Sequence, residues 1–367
     1  MFSRITPLGV VMGSLLGLYV FIFLSRITTT LTHRHNKYTI LINLINLIPA
    51  GLIAYLCFTF SSKYLVYIGY LVFFGLVVDL IYLIIRLIFR KKELFILKKI
   101  YMLGIIPLSL AFCFILYGHI NMANVIETNY TFETNKITNS YKICLISDTH
   151  YGTIQEKKLL DEKISYINTL NIDFLILCGD IVEEKTSKDD MIEVFNKLGS
   201  VKTKYGVYYN YGNHDRQPYD DRTFSDNELA NAIKLSGIRI LQDEAFNIGD
   251  EIVLIGREDY SKKNRKEISE LLDGVDKNKY IIVSDHQPED TKNNSENAID
   301  LQVSGHTHAR QIWPIGLFYT MMGSYNYGNY QINNMNLVVS SGFTGWGYPI
   351  RTEKHCEYVI INIKGNK

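Results

Sequence analysis

Four stretches of nearly unbroken apolar residues, 7–25, 38–60, 64–85 and 100–118, constrain this chain more than any other feature. A bilayer core about 30 Å thick is crossed by roughly 20 apolar residues in a helix, because backbone N–H and C=O groups cannot be left unpaired in lipid. Each stretch meets that length. Short basic clusters separate them: Arg26, Arg34 and Lys37, then Lys63, then Arg86, Arg90, Lys91, Lys92, Lys98 and Lys99. The expected architecture of residues 1–119 is a four-helix transmembrane bundle. A cleaved signal peptide fits the first stretch poorly, since its basic residues mostly follow it, no small-x-small pattern comes after it, and it exceeds the usual apolar core of such a peptide. Asp79 is the one charge inside a span. With Tyr82 and Arg86 on nearby turns, it is expected near one end of its span, in an interfacial ion pair.

Basic loop residues accumulate on the cytoplasmic side of a membrane. Placing the first and third loops inside puts nine Lys and Arg there, against Arg4 and Lys63 outside. An even number of spans returns the chain to the side of its N-terminus. The segment after the bundle is therefore expected on the extracytoplasmic face of the cell membrane.

The mean hydropathy of +0.02 averages this apolar third with a remainder of ordinary globular composition. A formal net charge of +1, with no basic tract interleaved with aromatics, argues against nucleic acid as a partner. No protein partner is evident either. Cys57 and Cys113 fall in apolar spans, Cys144 and Cys178 in strand-like runs and Cys356 in an expected loop, without a C-x-x-C pair. Buried thiols are the expectation, not a disulfide framework or a zinc ribbon.

Residues 120–140 are polar, rich in Asn and Thr and without a clear period, and read as a linker. From 141 to 367 apolar, β-rich runs alternate with helical patterns. The runs are KICLIS, DFLILC, YGVYYNY, EIVLIG, YIIVS, LQVS, LVVSS and YVIINI. Helices are expected over 156–168, 188–198 and 264–273, and another between Asp226 as N-cap and Gly237 as stop. The class is α/β. Five of the strand-like runs end in residues that bind cations: Asp148-Thr149-His150, Gly179-Asp180, Gly212-Asn213-His214-Asp215, Asp285-His286 and Gly305-His306-Thr307-His308. In open α/β sheets, loops converge at the carboxyl ends of strands while the strands hold them rigid. Carboxylates, imidazoles and a neutral carbonyl gathered there are the donor set that two hard divalent cations require. Taken singly, a D-T-H turn, a G-D helix start or a buried His needs no function; five in order point to a metal site.

These blocks, D-x-H, G-D, G-N-H-D, H and G-H-x-H in that order, resemble the calcineurin-like metallophosphoesterase superfamily over essentially all of residues 141–367. The resemblance implies two mixed β-sheets packed as a sandwich with flanking helices, two divalent ions and hydrolysis of phosphoester bonds. It assigns Asp148, His150 and His308 to one ion, Asn213, His286 and His306 to the other, Asp180 to a bridging position, and His214 to the leaving group. Two close cations lower the pKa of a shared water and neutralise phosphoryl oxygens during in-line attack, and His214 would protonate or stabilise the departing oxygen. Glu183, three residues beyond Asp180, is a candidate to orient His214. Mixed N/O ligation suits Mn, Fe or Zn. His33, His35, His119 and His355 match no block and are expected at an interface or surface.

Gly179-Asp180 continues as Ile-Val-Glu-Glu-Lys, without the Asp-Arg-Gly run of protein-serine/threonine phosphatases. The run GHTHARQIWP, with Ser341-Gly342 and the segment 345–351, resembles instead a bacterial membrane-associated branch, some of which acts on lipid-linked phosphoesters. That resemblance implies a lipid-linked or envelope phosphodiester or pyrophosphate as substrate. Where the branch commonly has Gly-Gly, this chain has Ala309-Arg310. Arg310 and Arg351 are candidate phosphate-gripping cations. Two other readings stand beside hydrolysis: a non-catalytic metal-binding scaffold, and a sensor or transporter with an accessory domain.

Overall fold

The computed structural model describes residues 7–32, 37–59, 65–89, 95–218 and 221–366. Arg4, Arg34, Lys63, Arg90, Lys91, Lys92, His33 and His35 lie outside the described residues. The chain divides into two units, Met1–Tyr117 and Gly118–Lys367.

The first unit is helical: α1 (Pro7–Leu31), α2 (Lys37–Ile45), α3 (Leu47–Thr59), α4 (Leu65–Phe89), α5 (Phe95–Met102) and α6 (Ile105–Met122), whose last residues belong to the second unit. Three helical segments among the described residues are long and apolar enough to cross a membrane, Val10–Leu31, Leu65–Ile88 and Ile105–Met122, and Ile40–Leu56 is a shorter apolar one. The apolar stretch 38–60 is thus not one straight helix: it breaks at Asn46, whose amide donates to Thr28 Oγ1 at 3.1 Å. Gly104, at φ +65°, ends the turn between α5 and α6, so the last long helix starts at Ile105 rather than at residue 100. Asp79 forms its ion pair with Arg26 of α1 at 2.6 Å and also accepts from the Tyr19 hydroxyl at 2.8 Å. It sits near the middle of α4 rather than near one end, so the contact ties two helices together.

The second unit contains two six-stranded mixed sheets. The first has the order β1-β12-β2-β3-β4-β5, from β1 (Val125–Thr134), β2 (Tyr141–Ile146), β3 (Phe174–Cys178), β4 (Val207–Asn210), β5 (Arg239–Ile240) and β12 (Cys356–Gly365). The second runs β10-β11-β9-β8-β7-β6, from β6 (Glu244–Ile248), β7 (Ile252–Gly256), β8 (Tyr280–Ser284), β9 (Leu301–Ser304), β10 (Gly328–Ile332) and β11 (Met335–Val339). Successive side chains of a strand point to opposite faces. On β2 and β3, Ile143, Leu145, Phe174 and Ile176 therefore pack against Ile252, Leu254, Ile282 and Val303 of the second sheet. Their neighbours Cys144, Ile146, Leu175 and Leu177 pack with Leu160, Phe195 and Leu229 of the helices α7 (Lys157–Ile167), α8 (Lys188–Gly199) and α9 (Asp226–Leu235). Both faces are covered, which is why these strands read as continuous apolar runs. Each such buried aliphatic side chain contributes about 1.5–3 kcal/mol.

Residues 120–140 are not a linker. Val125–Thr134 form β1, paired in parallel with β12 from Val125↔Cys356 to Thr134↔Gly365. As an edge strand with Thr, Asn and Glu on its open side, it buries only Val125 and Phe132, so its sequence carries no apolar alternation. Cys356 is the first residue of β12 and fully buried, not in a loop. The N-cap of α9 is Ser225, whose hydroxyl accepts from Glu228 N in a capping box; Asp226 is the next residue. Gly237 follows the helix at φ +76°. The helix expected over 264–273 shrinks to α10 (Ile268–Leu271), and two more short helices complete the unit, α11 (Thr291–Ser295) and α12 (Ile315–Met321).

Candidate metal centre

β2, β3 and β4 are parallel neighbours in one sheet, and β8 and β9 in the other. The loops leaving their carboxyl ends carry all five blocks. Asp148, His150 and His308 form one group whose potential ligand atoms lie within 4.8 Å of one another, and Asp180, His286 and His306 form a second. Five of these six residues have positive φ: Asp148 (54°), His150 (38°), Asp180 (52°), His306 (68°) and His308 (49°). That conformation is uncommon for residues with a Cβ and gathers at functional sites, where surrounding structure enforces it. Here the enforcement is visible: Phe343 and Thr344 donate their N–H groups to Ser147 and Asp148 carbonyls, and His150 N donates to Asp180 O. Two glycines allow the close approach. A Cβ on Gly212 would collide with Asp180 Oδ1, and one on Gly305 with Asp148 Oδ2.

Backbone carbonyls assign the imidazole tautomers. His286 Nδ1 is 2.7 Å from Cys178 O and His308 Nδ1 is 3.0 Å from Thr344 O; a carbonyl only accepts, so each Nδ1 carries the hydrogen. The Nε2 atoms are then left to face inward. His286 Nε2 is buried without a hydrogen bond and lies 3.0 Å from Asp180 Oδ2. His308 Nε2 is 3.3 Å from His150 Nε2 and 3.5 Å from Asp148 Oδ1. Imidazole lone pairs and carboxylate oxygens at such separations repel unless a proton or a metal cation sits between them. This donor set, buried and of mixed N and O character, fits a pair of divalent ions.

The electrostatics agree. Burial, then the neighbouring His286, push His306 down to about 4, and burial with His150 holds His308 well below the usual histidine value, so both are neutral at pH 7. Burial would lower His286 as well, but the Asp180 carboxylate outweighs it and raises the pKa well above normal. The acids at the centre thus call for positive charge at the second group. Asn213 Oδ1 accepts from Nε2 of Gln287, the residue after His286, at 3.4 Å.

His214 is a member of neither group but touches both. Its N–H donates to Asp180 Oδ1 at 2.7 Å, its ring lies 5.4 Å from that of His150 and 5.2 Å from that of Trp346, and its Nδ1 is 3.2 Å from Glu184 Oε2. Glu184, not Glu183, is therefore its carboxylate partner. Glu183 is buried and turned to His150, its Oε2 3.2 Å from Nδ1. By geometry that nitrogen makes no hydrogen bond, so the contact is an ion pair; burial would lower the His150 pKa, but Glu183 and the nearby Asp180 and Asp148 raise it. Arg351 grips no substrate either. It is fully buried and donates from Nη1 to the carbonyls of His308 and His355 and from Nη2 to those of Ser341 and Thr344, clamping the loop that orients His308. Arg310 is half-buried beside His306, its guanidinium 3.9 Å over the Tyr319 ring. Ala309 (φ 50°) and Arg310 (φ 61°) have left-handed backbone, the conformation glycine adopts at least cost. His355 is half-buried, in a cluster with Glu357 Oε2 at 3.2 Å and the Tyr327 hydroxyl at 3.1 Å.

Sequence reasoning missed Asp215 as a site residue although it closes the G-N-H-D block. Fully buried, it accepts from the N–H groups of Asp180, Ile181, Val182 and Gly212 at 2.7 to 3.2 Å, which ties the second and third ligand loops together. Arg265 does the same for the fourth loop through two contacts with Asp285, at 3.0 and 2.5 Å. No motif marks Arg265.

Residues 141–310 match the calcineurin-like phosphoesterase family. An uncharacterised metallophosphoesterase of Campylobacter jejuni is 28% identical over 309 residues, 81% of this chain and 79% of that protein. One of Helicobacter pylori strain 26695 is 30% identical over 223 residues, 59% of this chain and 58% of its own length. A transmembrane protein with a metallophosphoesterase domain from Danio rerio is 25% identical, covering 90% of this chain and 78% of that one. Residues 141–310 thus form a domain that matches the calcineurin-like phosphoesterases, which makes the chain a phosphoester hydrolase. The family implies a dinuclear site for divalent metal ions.

Proposed function

We propose that the chain is a multi-pass membrane enzyme that hydrolyses a phosphodiester or pyrophosphate borne on a lipid or an envelope precursor, with its domain on the extracytoplasmic face. The observation that carries the catalytic part is the pair of buried Asp/His/His groups whose free nitrogens converge beside a His214–Glu184 pair. Asp148, His150 and His308 would hold one ion, and His286, His306 and Asn213 the other, with Asp180 between them. When bound, the ions supply Lewis-acid activation of water and neutralise phosphoryl oxygens. Glu184 holds Nδ1 of His214, which leaves Nε2 to deliver a proton to the leaving oxygen. Arg310, beside His306, would bind a non-bridging phosphate oxygen. The membrane part of the reading rests on the apolar helices, the basic loops and the relative named for its transmembrane character.

The test uses the full chain in detergent, loaded with Mn or Zn, on p-nitrophenyl phosphate and bis(p-nitrophenyl) phosphate. Elemental analysis should give two ions per chain, and Asp180→Asn should lower occupancy of both sites. Folded protein that binds no metal pair and cleaves neither ester would refute the catalytic reading. Protease treatment of spheroplasts with a tag after Lys367 tests the side: a protected tag reverses the orientation and makes cytoplasmic phosphoesters the substrate class.

A further inference from the structure

The helix α12 and the segment around it are unlike the rest of the domain surface. Ile315, Leu317, Phe318, Met321 and Met322 are all exposed, Phe318 at 56% and Met321 at 76%, although the helix begins just past the loop that bears the ligand His308. Single exposed apolar residues are ordinary, but a contiguous group of this kind marks a surface that meets another apolar phase. The group adjoins the site. Tyr319 of α12 lies under the Arg310 guanidinium at 3.9 Å, and exposed Trp346, whose backbone N–H donates to Gln311 Oε1, has its ring tilted against that of His214 at 5.2 Å. Half-buried Tyr325 and Tyr348 extend the aromatic margin.

What covers this surface follows from its attachment. Gly118, in the last turns of the apolar helix α6, accepts from Arg351 N, and Asn121 donates to the carbonyls of Arg351 and Lys354. The same short segment holds the entry to α12: Thr352 and Glu353 donate to Gln311 O, and Trp313 N donates to Thr352 Oγ1. A helix long and apolar enough to cross a bilayer thus ends on the strip of chain that also carries Trp346 and the base of α12. Trp and Tyr favour the membrane–water boundary, and a short apolar helix flanked by them lies in that boundary with its apolar side chains among the acyl chains.

We infer that α12 and Trp346 form a bilayer-docking lip of the metal centre, which seats the site on the surface of the membrane and presents it to phosphoesters at headgroup depth. This deepens, and rests on, the reading of the domain as a hydrolase of membrane-borne phosphoesters. The lip acts on access, since none of the α12 side chains is a ligand of either group.

The chain has two tryptophans, Trp313 and Trp346, both in the second unit, so intrinsic fluorescence reports on this surface alone. Full-length protein is reconstituted in nanodiscs of phosphatidylcholine and phosphatidylglycerol, with plain or brominated acyl chains. Brominated lipid should quench a component of the emission by about twofold, and Trp346→Phe should remove that component. Phe318→Trp in the otherwise native chain provides a second reporter that disturbs no core packing, and it should be quenched at least as strongly. Emission from both reporters that is the same in the two lipids, with unchanged thermal melting, overturns the docking lip; so does concentration-dependent shielding of both reporters by a second copy of the chain. Hydrolysis of bis(p-nitrophenyl) phosphate is measured on the same nanodiscs. Quenching without hydrolysis upholds the lip and refutes the catalytic reading, and hydrolysis without quenching does the reverse.

Discussion

Glu183 and Glu184 are adjacent, chemically identical and separable by experiment. Glu183→Gln removes a carboxylate whose oxygen is 3.2 Å from His150 Nδ1, where the two side chains are 6% and 0% exposed. A well-aligned hydrogen bond to a charged group in so buried a place is worth about 1.5–3 kcal/mol. Because Nδ1 makes no well-aligned hydrogen bond, the lower end applies, about 1.5 kcal/mol, or a roughly tenfold loss of affinity at the site built on His150. Glu184→Gln touches no ligand: its partner is His214 Nδ1, also at 3.2 Å, with side chains 17% and 13% exposed. It should leave the metal content at two per chain and lower kcat by about tenfold, because a neutral amide no longer stabilises the imidazolium form of the acid. Metal titration by calorimetry and kcat at saturating metal, run on both variants, separate the effects. Excess Mn should restore Glu183→Gln and leave Glu184→Gln impaired. This pairing of acids with histidines is refuted if Glu184→Gln loses metal, or if excess metal fails to rescue Glu183→Gln while rescuing its neighbour.

His214→Ala should keep its metal and lose on the order of a hundredfold in turnover, whereas His306→Ala should lose metal as well, both read by elemental analysis beside a rate assay. Arg351→Met strips donors from four buried carbonyls and should destabilise the domain by about 3 kcal/mol or more, seen as a fall in melting temperature; a phosphate-binding role would instead raise KM with melting unchanged, and Arg351→Lys should not rescue, because one ammonium cannot reach the four carbonyls. Burial would raise the pKa of Glu357, but the contacts with His355, Thr128 and Ser341 outweigh it and hold the folded value below normal. A depressed carboxylate pKa contributes stability that is complete above the unfolded value of about 4.3 and is lost as pH falls through the folded one. Urea melts should therefore show that Glu357→Gln abolishes part of the acid sensitivity below about pH 4.3 while costing stability at pH 7.

The legible parts of the fold are those with both faces buried. β2, β3, β8 and β9 are buried at nearly every position and mostly apolar, and such runs announce themselves in any sequence. β1 and β10 pair along one side only and expose every second or third residue, so their Thr, Asn and Gln look like linker. The break at Asn46 is hidden for a different reason: hydropathy counts an Asn in an apolar run as a small penalty, while its hydrogen bond to Thr28 depends on a partner helix. The position of Asp79 is obscured in the same way, since its partner Arg26 is 53 residues distant in sequence.

At the site, the ligands are legible because each needs a particular donor at the end of a particular strand, and that requirement acts on one position at a time. Support of the ligands does not. Whether Glu183 or Glu184 turns toward His214 depends on a loop after β3 whose path is set by Asp215, three of whose N–H donors, Asp180, Ile181 and Val182, lie just upstream. With that backbone gathered around one carboxylate, consecutive side chains diverge, one to the buried His150 and the next to the more open His214. Arg351 shows the same limit from the other side. A cation close in sequence to a phosphate site suggests an anion as its partner, yet a guanidinium has five N–H donors, and four backbone carbonyls, of His308, Ser341, Thr344 and His355, satisfy it as well as a substrate would. Spacing along the chain can name the atoms that bind; which atoms hold them still is decided by contacts between segments that no local pattern records.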